Sequence, residues 1–98
     1  METHNLILVT EFCTHHDIER SFIDQLSNLG LIEIVNVENS NYLNHDQLKD
    51  LERLVRLHYE LDINIEGIDV ITRLLERIAS LETQLKETQN KLRFFDSL

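Results

Sequence analysis

The chain has 98 residues, 42% of them hydrophobic and 28% charged, with two glycines and no proline, a composition typical of an ordered and mostly helical domain rather than a disordered tail. This length supports one domain with a small core, so a regular helical fold or a partner would add needed stability. The formal net charge of −9 disfavours nucleic acid at long range, and no apolar run approaches the roughly 20 residues that cross a bilayer.

The first 30 residues predict a short strand followed by two helices. Residues 5–9 (NLILV) are β-prone, and Thr10 is the expected N-cap of a first helix, TEFCTHH. Asp17 is the expected N-cap of a second helix, DIERSFIDQLSNLG, which should stop at Gly30. Apolar residues recur at three- and four-residue steps in this second helix. They predict a core-facing stripe of Ile18, Phe22, Ile23, Leu26 and Leu29, and an outward face with Glu19, Asp24 and Ser27.

The segment after Gly30 shows the pattern of a small β-hairpin, which would form a wing. Apolar and polar positions alternate at Ile32, Ile34 and Val37, the pattern breaks at residues 38–41, and it resumes at residues 42–43.

A third helix is predicted after the hairpin. Asn44 and Gln47 are expected to form a capping box, in which Asn44 accepts a hydrogen bond from the amide of Gln47 and Gln47 reaches back. Asn64 is the expected N-cap of the helix that follows. The predicted apolar face of the third helix contains Leu48, Leu51, Val55, His58 and Leu61.

The C-terminal segment has a coiled-coil pattern from residue 71 onward, with apolar positions at alternating steps of three and four through four heptads. Heptad position a holds Ile71, Ile78, Leu85 and Leu92, and position d holds Leu74, Leu81, Thr88 and Phe95. Because residues 1–63 are already needed to cover a small core, we expect the apolar residues of this seam to form a homodimer rather than an intramolecular contact. The sequence thus divides into residues 1–66 and a dimerisation segment, 67–98, within one compact domain.

Charge is distributed unevenly between the two halves of the chain. Residues 1–48 contain eight carboxylates and a single basic side chain, Arg20, whereas residues 49–98 contain eight basic and ten acidic side chains. Scattered acidic residues usually form only a solvated surface, but a surface mixed for solubility would not be so one-sided. We therefore interpret the acidic surface as a docking face for a basic partner. The first candidate set is Glu11, Glu19 and Asp24, and the second is Glu60, Asp62, Glu66 and Asp69.

The sequence offers little for catalysis or metal binding. Cys13, His15 and His16 are close together, but on a helix they do not face one point, and no second cysteine or matching histidine pair is present. We find no nucleophile elbow, glycine-rich phosphate loop or paired carboxylates, so we expect neither an enzyme nor a cofactor. His58 is expected to be structural. A lone cysteine and a start without a basic, apolar signal favour the cytoplasm.

The order of strand, helix-turn-helix, wing, two helices and coiled coil resembles the MerR-like winged helix-turn-helix domain over nearly the whole chain. Within that superfamily, VTEFC at 9–13, LGLIE at 29–33 and VRLHYEL at 55–61 are similar to the CbpM chaperone modulators. The resemblance implies a mainly α fold with a small β-hairpin wing and a C-terminal coiled-coil helix. It also implies binding to the J-domain of a DnaJ-like, CbpA-type co-chaperone and inhibition of its work with Hsp70.

The alternative that the resemblance implies is a dimeric MerR-like transcription regulator that binds DNA. A DNA-reading member would carry Arg and Tyr in the segment occupied here by Asp24, Gln25 and Leu26, and another Arg in the wing near Asn41 and Tyr42. The sequence departs from the pattern at these positions. The segment FIDQLSNLGLIEI keeps the apolar stripe of a reading helix, but its acidic neighbours would repel phosphate, so DNA is not the expected partner.

The direction of the helices in the dimer is left open by the residues. The MerR-like relatives imply an antiparallel coiled coil. A parallel one would also be favourable, because it pairs Arg77 with Glu82 and Lys91 with Asp96.

Overall fold

The computed structural model describes residues 5–98. Residues 1–4 lie outside the described part. They include Glu2, one of the eight carboxylates of residues 1–48, and the first residues of the N-terminal segment that lacks the pattern of a secretory signal. The elements in chain order are β1 (Leu6–Leu8), α1 (Val9–His16), α2 (Arg20–Asn28), β2 (Ile34–Val37), β3 (Ser40–Asn44), a 3₁₀ turn (His45–Gln47), α3 (Leu48–Tyr59) and α4 (Ile65–Asp96). The predicted mainly α fold with a β-hairpin and a long C-terminal helix is confirmed.

The three strands form one antiparallel sheet with β3 in the centre. Ile7 of β1 and Ile34 of β2 both pair with Leu43 of β3, whose side chain is completely buried. The hairpin turn is tighter than the predicted break at 38–41. It consists of Glu38 and Asn39, both with left-handed φ values of 51° and 65°, and the next two residues already belong to β3. This is the backbone that two-residue hairpins favour, because its twist matches that of the strands.

Two of the predicted helix starts are wrong. Thr10 does not cap α1, because β1 runs directly into the helix and α1 begins one residue earlier, at Val9. Asp17 does not cap α2, which begins at Arg20 with Glu19 at its N-cap. Asp17 instead ends α1 in a left-handed conformation with φ 53°, and its N–H donates to a carbonyl of the last turn. Aspartate is among the few residues that tolerate this conformation.

The predicted stop at Gly30 is confirmed. Gly30 has φ +75°, its N–H donates to the carbonyl of Ser27 at 3.0 Å, and the N–H of Leu31 donates to the carbonyl of Leu26 at 3.0 Å. These two bonds form a Schellman motif, which satisfies the last carbonyls of α2.

The predicted capping box is also wrong. The side chain of Asn44 accepts a hydrogen bond from the N–H of Asp46 at 2.9 Å, so it caps the 3₁₀ turn. Gln47 does not reach back to Asn44. Its Oε1 accepts from the N–H of Glu33 at 3.0 Å, and its Nε2 donates to the carbonyl of the same residue at 2.7 Å. The start of α3 is therefore fastened to the segment that leads into β2.

The core lies between the sheet, the first three helices and the first turn of α4. It consists of Val9, Phe12, Cys13, Phe22, Ile23, Leu26, Ile32, Leu43, Leu51, Leu54 and Ile68. The centre of the predicted α2 stripe is thus confirmed, whereas Leu29 at its end is exposed. Leu61 was expected on the buried face of the third helix and is 63% exposed, because α3 ends at Tyr59, before the apolar pattern does.

The last helix begins as predicted and is long. The side chain of Asn64 accepts a hydrogen bond from the N–H of Gly67 at 2.8 Å, which confirms Asn64 as the N-cap of α4. The 32 residues of α4 correspond to about 48 Å of helix. The helix runs without interruption across the predicted boundary between residues 66 and 67, and that division stays a prediction. Among residues 5–98, no helix is long and apolar enough to cross a membrane.

Candidate protein-interaction surfaces

The outer face of α2 has little free positive charge. Arg20 is the only Lys or Arg among residues 5–48, and its Nε donates to Oδ1 of Asp24 at 3.1 Å, one helical turn away. Both side chains are partly exposed, so the pair contributes little to stability. Its consequence is electrostatic: the one cation of this segment is paired, and Glu19 next to it is exposed.

Glu19 lies beside the end of α3, a proximity that sequence reasoning missed. The backbone N–H of Glu19 donates to the hydroxyl of Tyr59 at 3.1 Å. The ring of Tyr59 also contacts Phe22 edge-on, with ring centroids 5.4 Å apart. These contacts bring a residue of the first acidic set next to the segment that contains Glu60 and Asp62 of the second set. We call Glu19, Tyr59, Glu60, Leu61 and Asp62 the α3-end surface.

Glu11, the third member of the first acidic set, lies elsewhere. It lines a shallow groove between α1 and the start of α3, together with His16, Leu48 and Glu52. Nε2 of His16 is 3.8 Å from Oε2 of Glu52 across this groove. Glu11 and Glu19 are therefore at opposite ends of α3, a helix about 18 Å long.

The second acidic set is also divided. Glu60 and Asp62 are exposed on the α3-end surface, and Asp62 turns the chain with a left-handed φ of 56°. Glu66 is exposed in the first turn of α4, where its charge interacts favourably with the helix dipole. The side chain of Asp69 is only 24% exposed, and its Oδ1 lies 3.0 Å from Nε of Arg73, without the alignment of a hydrogen bond. Asp69 is thus the least available of the four carboxylates.

Cys13 is a core residue with a buried thiol. Its side chain is buried, and this burial raises the pKa of the thiol. Arg20 lowers that pKa and Asp24 raises it, each by less than the effect of burial. The thiolate needed for nucleophilic or metal chemistry is therefore disfavoured. In the part of the chain from Asn5 to Leu98, no group of three His, Cys, Asp or Glu side chains could hold a metal ion.

His58 has the structural role expected for it. Its Nδ1 is 2.8 Å from the carbonyl oxygen of Ile63, in the loop between α3 and α4. Its ring stacks on Phe22, with centroids 4.6 Å apart and an interplanar angle of 14°. His58 thus joins α2, α3 and the loop that precedes α4.

The heptad side chains of α4 are uncovered in the single chain. From Leu74 to Phe95, the apolar residues at positions a and d are 49–67% exposed, whereas Ile71 is half-buried. We call this row the α4 seam: Ile71, Leu74, Ile78, Leu81, Leu85, Leu92 and Phe95. The rest of the described chain leaves most of the α4 seam uncovered, as expected if the seam contacts another helix.

A family model described as MerR HTH family regulatory protein matches residues 7–90. The chain belongs to this family. It is also similar to the chaperone modulatory protein CbpM of Escherichia coli O1:K1, with 28% identity over 88 residues that cover 89% of this chain and 87% of that protein. The CbpM proteins of Escherichia coli O45:K1 strain S88 and O139:H28 strain E24377A show the same identity and coverage. The CbpM-like, MerR-like resemblance found in the sequence is confirmed.

The family match covers the helix-turn-helix, the hairpin and most of α4. In a helix-turn-helix domain, the second helix is the one that contacts DNA. Here that helix is α2, whose only cation, Arg20, is paired with Asp24, and whose Leu26 is buried in the core rather than available to bases. The scaffold of the family is therefore present, and its second helix offers no unpaired Lys or Arg.

Proposed function

We propose that this protein is a chaperone modulator that binds the J-domain of a DnaJ-like, CbpA-type co-chaperone and inhibits its work with Hsp70. The observation that carries this proposal is the acidic helix-turn-helix: the single cation among residues 5–48 is Arg20, and it is paired with Asp24. Such a surface attracts basic proteins and repels phosphate. The similarity to chaperone modulatory proteins over most of the chain supports the same role.

The proposed mechanism is competition for a basic helix. The J-domain offers a basic helix to Hsp70, so an acidic protein that covers this helix keeps the co-chaperone from Hsp70. Binding of this kind requires no catalysis and no cofactor, and it would take place in the cytoplasm. Charge complementarity would mainly speed association, while the total affinity depends on the apolar contacts at the centre of the interface.

The active form in this proposal is a homodimer through the α4 seam. In a parallel dimer the C-terminal ends of the two α4 helices would lie side by side. An antiparallel dimer would separate these ends by roughly 36 Å, the length of the seam. Spin labels on Ser97→Cys, in a Cys13→Ala background, distinguish the two arrangements. We expect the long distance, as in MerR-like relatives, and a short one would establish the parallel dimer.

The docking face is tested by reversing the charge of the first acidic set, with Glu11→Lys, Glu19→Lys and Asp24→Lys combined. Exposed carboxylates contribute about 0.2–1 kcal/mol each, so the three reversals are combined to give the largest effect. With a purified J-domain, we expect slower association and a weaker dependence on salt. A folded, dimeric triple variant that binds and inhibits with unchanged salt dependence would remove this face from consideration.

Since Glu11 lies at the other end of α3 from Glu19, the triple variant is accompanied by two partial ones. Glu11→Lys alone changes the groove beside the start of α3, and Glu19→Lys with Asp24→Lys changes the α2 side. If all three residues of the first acidic set contact the J-domain, both partial variants slow association and their effects combine in the triple variant. The same reversal at Glu60 and Glu66 tests the second set.

The description of the family favours a second candidate, a dimeric regulator that binds DNA. The basic residues available to it lie in later helices, and one of these, Arg53, is paired with Asp50 at 3.3 Å. Specific operators usually require several phosphate contacts from Lys and Arg, so we expect weak or no binding at physiological salt. A sequence-specific, nanomolar footprint on a promoter near the protein's own gene would favour this candidate over chaperone modulation.

A further inference from the structure

We infer that the α3-end surface is the apolar centre of the docking site, and that its occupant is a basic helix that places an apolar side chain against Leu61. This inference rests on the proposed function, because it assigns a particular face and a particular contact to the co-chaperone's J-domain. It differs from a purely acidic surface in assigning most of the affinity to an uncharged residue.

Leu61 is the most exposed large hydrophobic residue N-terminal to α4 in the described chain. The others there are Leu29 and Tyr59, at 36% and 40% exposure. The apolar repeat of α3 continues to Leu61, yet the helix ends at Tyr59 and the chain turns at Asp62. Leu61 therefore follows the apolar pattern of α3 but is exposed to solvent. Covering its side chain with a partner would be favourable.

The backbone around Leu61 is held in place by hydrogen bonds. The N–H of Leu61 donates to the carbonyl of Arg56 at 3.2 Å, and the N–H of Ile63 donates to that of Leu57 at 3.0 Å. Asp62 between them has the left-handed φ that fixes the turn. A surface that is already ordered loses little conformational entropy when it binds, so apolar contacts there contribute more of their free energy to affinity.

Tyr59 fixes the neighbouring side of the surface. Its hydroxyl accepts from the N–H of Glu19 at 3.1 Å, and its ring contacts both Phe22 and His58 edge-on. The exposed part of this ring is therefore rigid. Rigid aromatic side chains next to an aliphatic anchor are typical of the centres of protein interfaces.

The charges around Leu61 and Tyr59 determine the class of partner. Glu19, Glu60 and Asp62 are all exposed. The nearest cations along the chain are Arg20, which is paired with Asp24, and Arg56, about one turn before the end of α3. An apolar centre with an acidic rim is complementary to an amphipathic helix with Lys and Arg on either side of an apolar residue. The same rim disfavours nucleic acid.

The decisive experiment is calorimetric titration of the purified J-domain into three forms of the full chain. These are the wild type, Leu61→Ala and the matched control Leu29→Ala, a second exposed leucine at the end of a helix. We expect Leu61→Ala to weaken binding roughly tenfold and the control to bind like the wild type. The slope against salt should be unchanged in both, because neither variant removes a charge.

A second variant separates the anchor from the rim. Asp62→Asn removes a charge but keeps a residue that tolerates left-handed φ, so the turn is preserved. We expect a decrease in affinity of only about twofold, together with a weaker dependence on salt. The unfolding midpoint and the sedimentation coefficient of each variant are measured alongside, so that a change in folding or dimerisation is recognised.

The outcomes are distinguishable. If the wild type does not bind the J-domain, the proposed function fails. If the wild type binds and Leu61→Ala binds equally well, the proposed function stands and this inference is overturned. Equal weakening by Leu29→Ala, or a loss of the dimer in Leu61→Ala, would also overturn it, because the effect would then not belong to a contact between the α3-end surface and the J-domain.

Discussion

Replacing Leu81 and Leu85 by lysine should dissociate the proposed dimer. These residues lie near the middle of the α4 seam, four positions apart, so both would be covered by a second helix. In the single chain they are 49% and 58% exposed. A dimer interface along the α4 seam would explain why these exposed residues are leucines. The double variant is the most direct test of that interface.

The expected effect can be estimated from the exposed fractions. Six apolar side chains of the seam, from Leu74 to Phe95, are about half to two-thirds exposed. Fully burying such a side chain contributes about 1.5–3 kcal/mol, so covering the exposed part contributes about 1 kcal/mol each. Two copies then gain on the order of 12 kcal/mol, comparable to an association cost of roughly 4–15 kcal/mol. The net affinity is therefore sensitive to the loss of a few contacts.

The double variant removes four of these twelve contributions, or about 4 kcal/mol, which corresponds to a roughly thousandfold weaker dimer. Burying the lysine charges would add a further penalty. Sedimentation over a wide range of protein concentration measures this change. Thr83→Lys with Asn90→Lys is the matched control, because it adds the same two charges to α4 away from the seam. An unchanged oligomer in the Leu81, Leu85 variant would refute the coiled-coil assignment.

Three predictions concern the stability of the fold. Gln47→Ala should lower the free energy of unfolding in urea by about 1–3 kcal/mol, because both backbone groups of Glu33 lose their partner; an unchanged midpoint would mean that water replaces the amide. Gly67→Ala should lower the melting temperature, although alanine favours helix by about 1 kcal/mol relative to glycine. The added Cβ would lie 3.0 Å from Oδ1 of Asn64, the N-cap of α4, and even closer to a neighbouring side chain. A higher melting temperature would contradict this prediction. Glu38→Asn should stabilise the chain by on the order of 0.5 kcal/mol in the same urea assay, since asparagine tolerates the left-handed turn better, and destabilisation would show that the carboxylate has a role in the hairpin.

The candidate docking residues were only partly accessible to sequence reasoning. Glu19 and Asp24 could be assigned to the outer face of the second helix from the helical period, and both are exposed. Their pattern could not indicate that Glu19 lies against Tyr59, because these residues are 40 positions apart and joined by a backbone-to-hydroxyl bond. Leu61 was assigned to the core for a similar reason, since periodicity does not reveal where a helix ends.

The sequence by itself determined the features that depend on neighbours within one or two helical turns. The amphipathic stripe of α2, the stop at Gly30, the N-cap at Asn64 and the continuous heptads of α4 all follow from local spacing and backbone preference. The imbalance of charge, with Arg20 alone among the acids of the first half, required no structure either.

Only the tertiary structure decided between partners that are equally reasonable locally. A polar side chain near a helix start can cap its own helix or bond a distant backbone group, and packing determines which group is within reach. Gln47 bonds Glu33 rather than Asn44 because the sheet brings Glu33, which immediately precedes β2, to the start of α3. Asp17 ends α1 instead of beginning α2, since α1 must turn there to place both helices on one core.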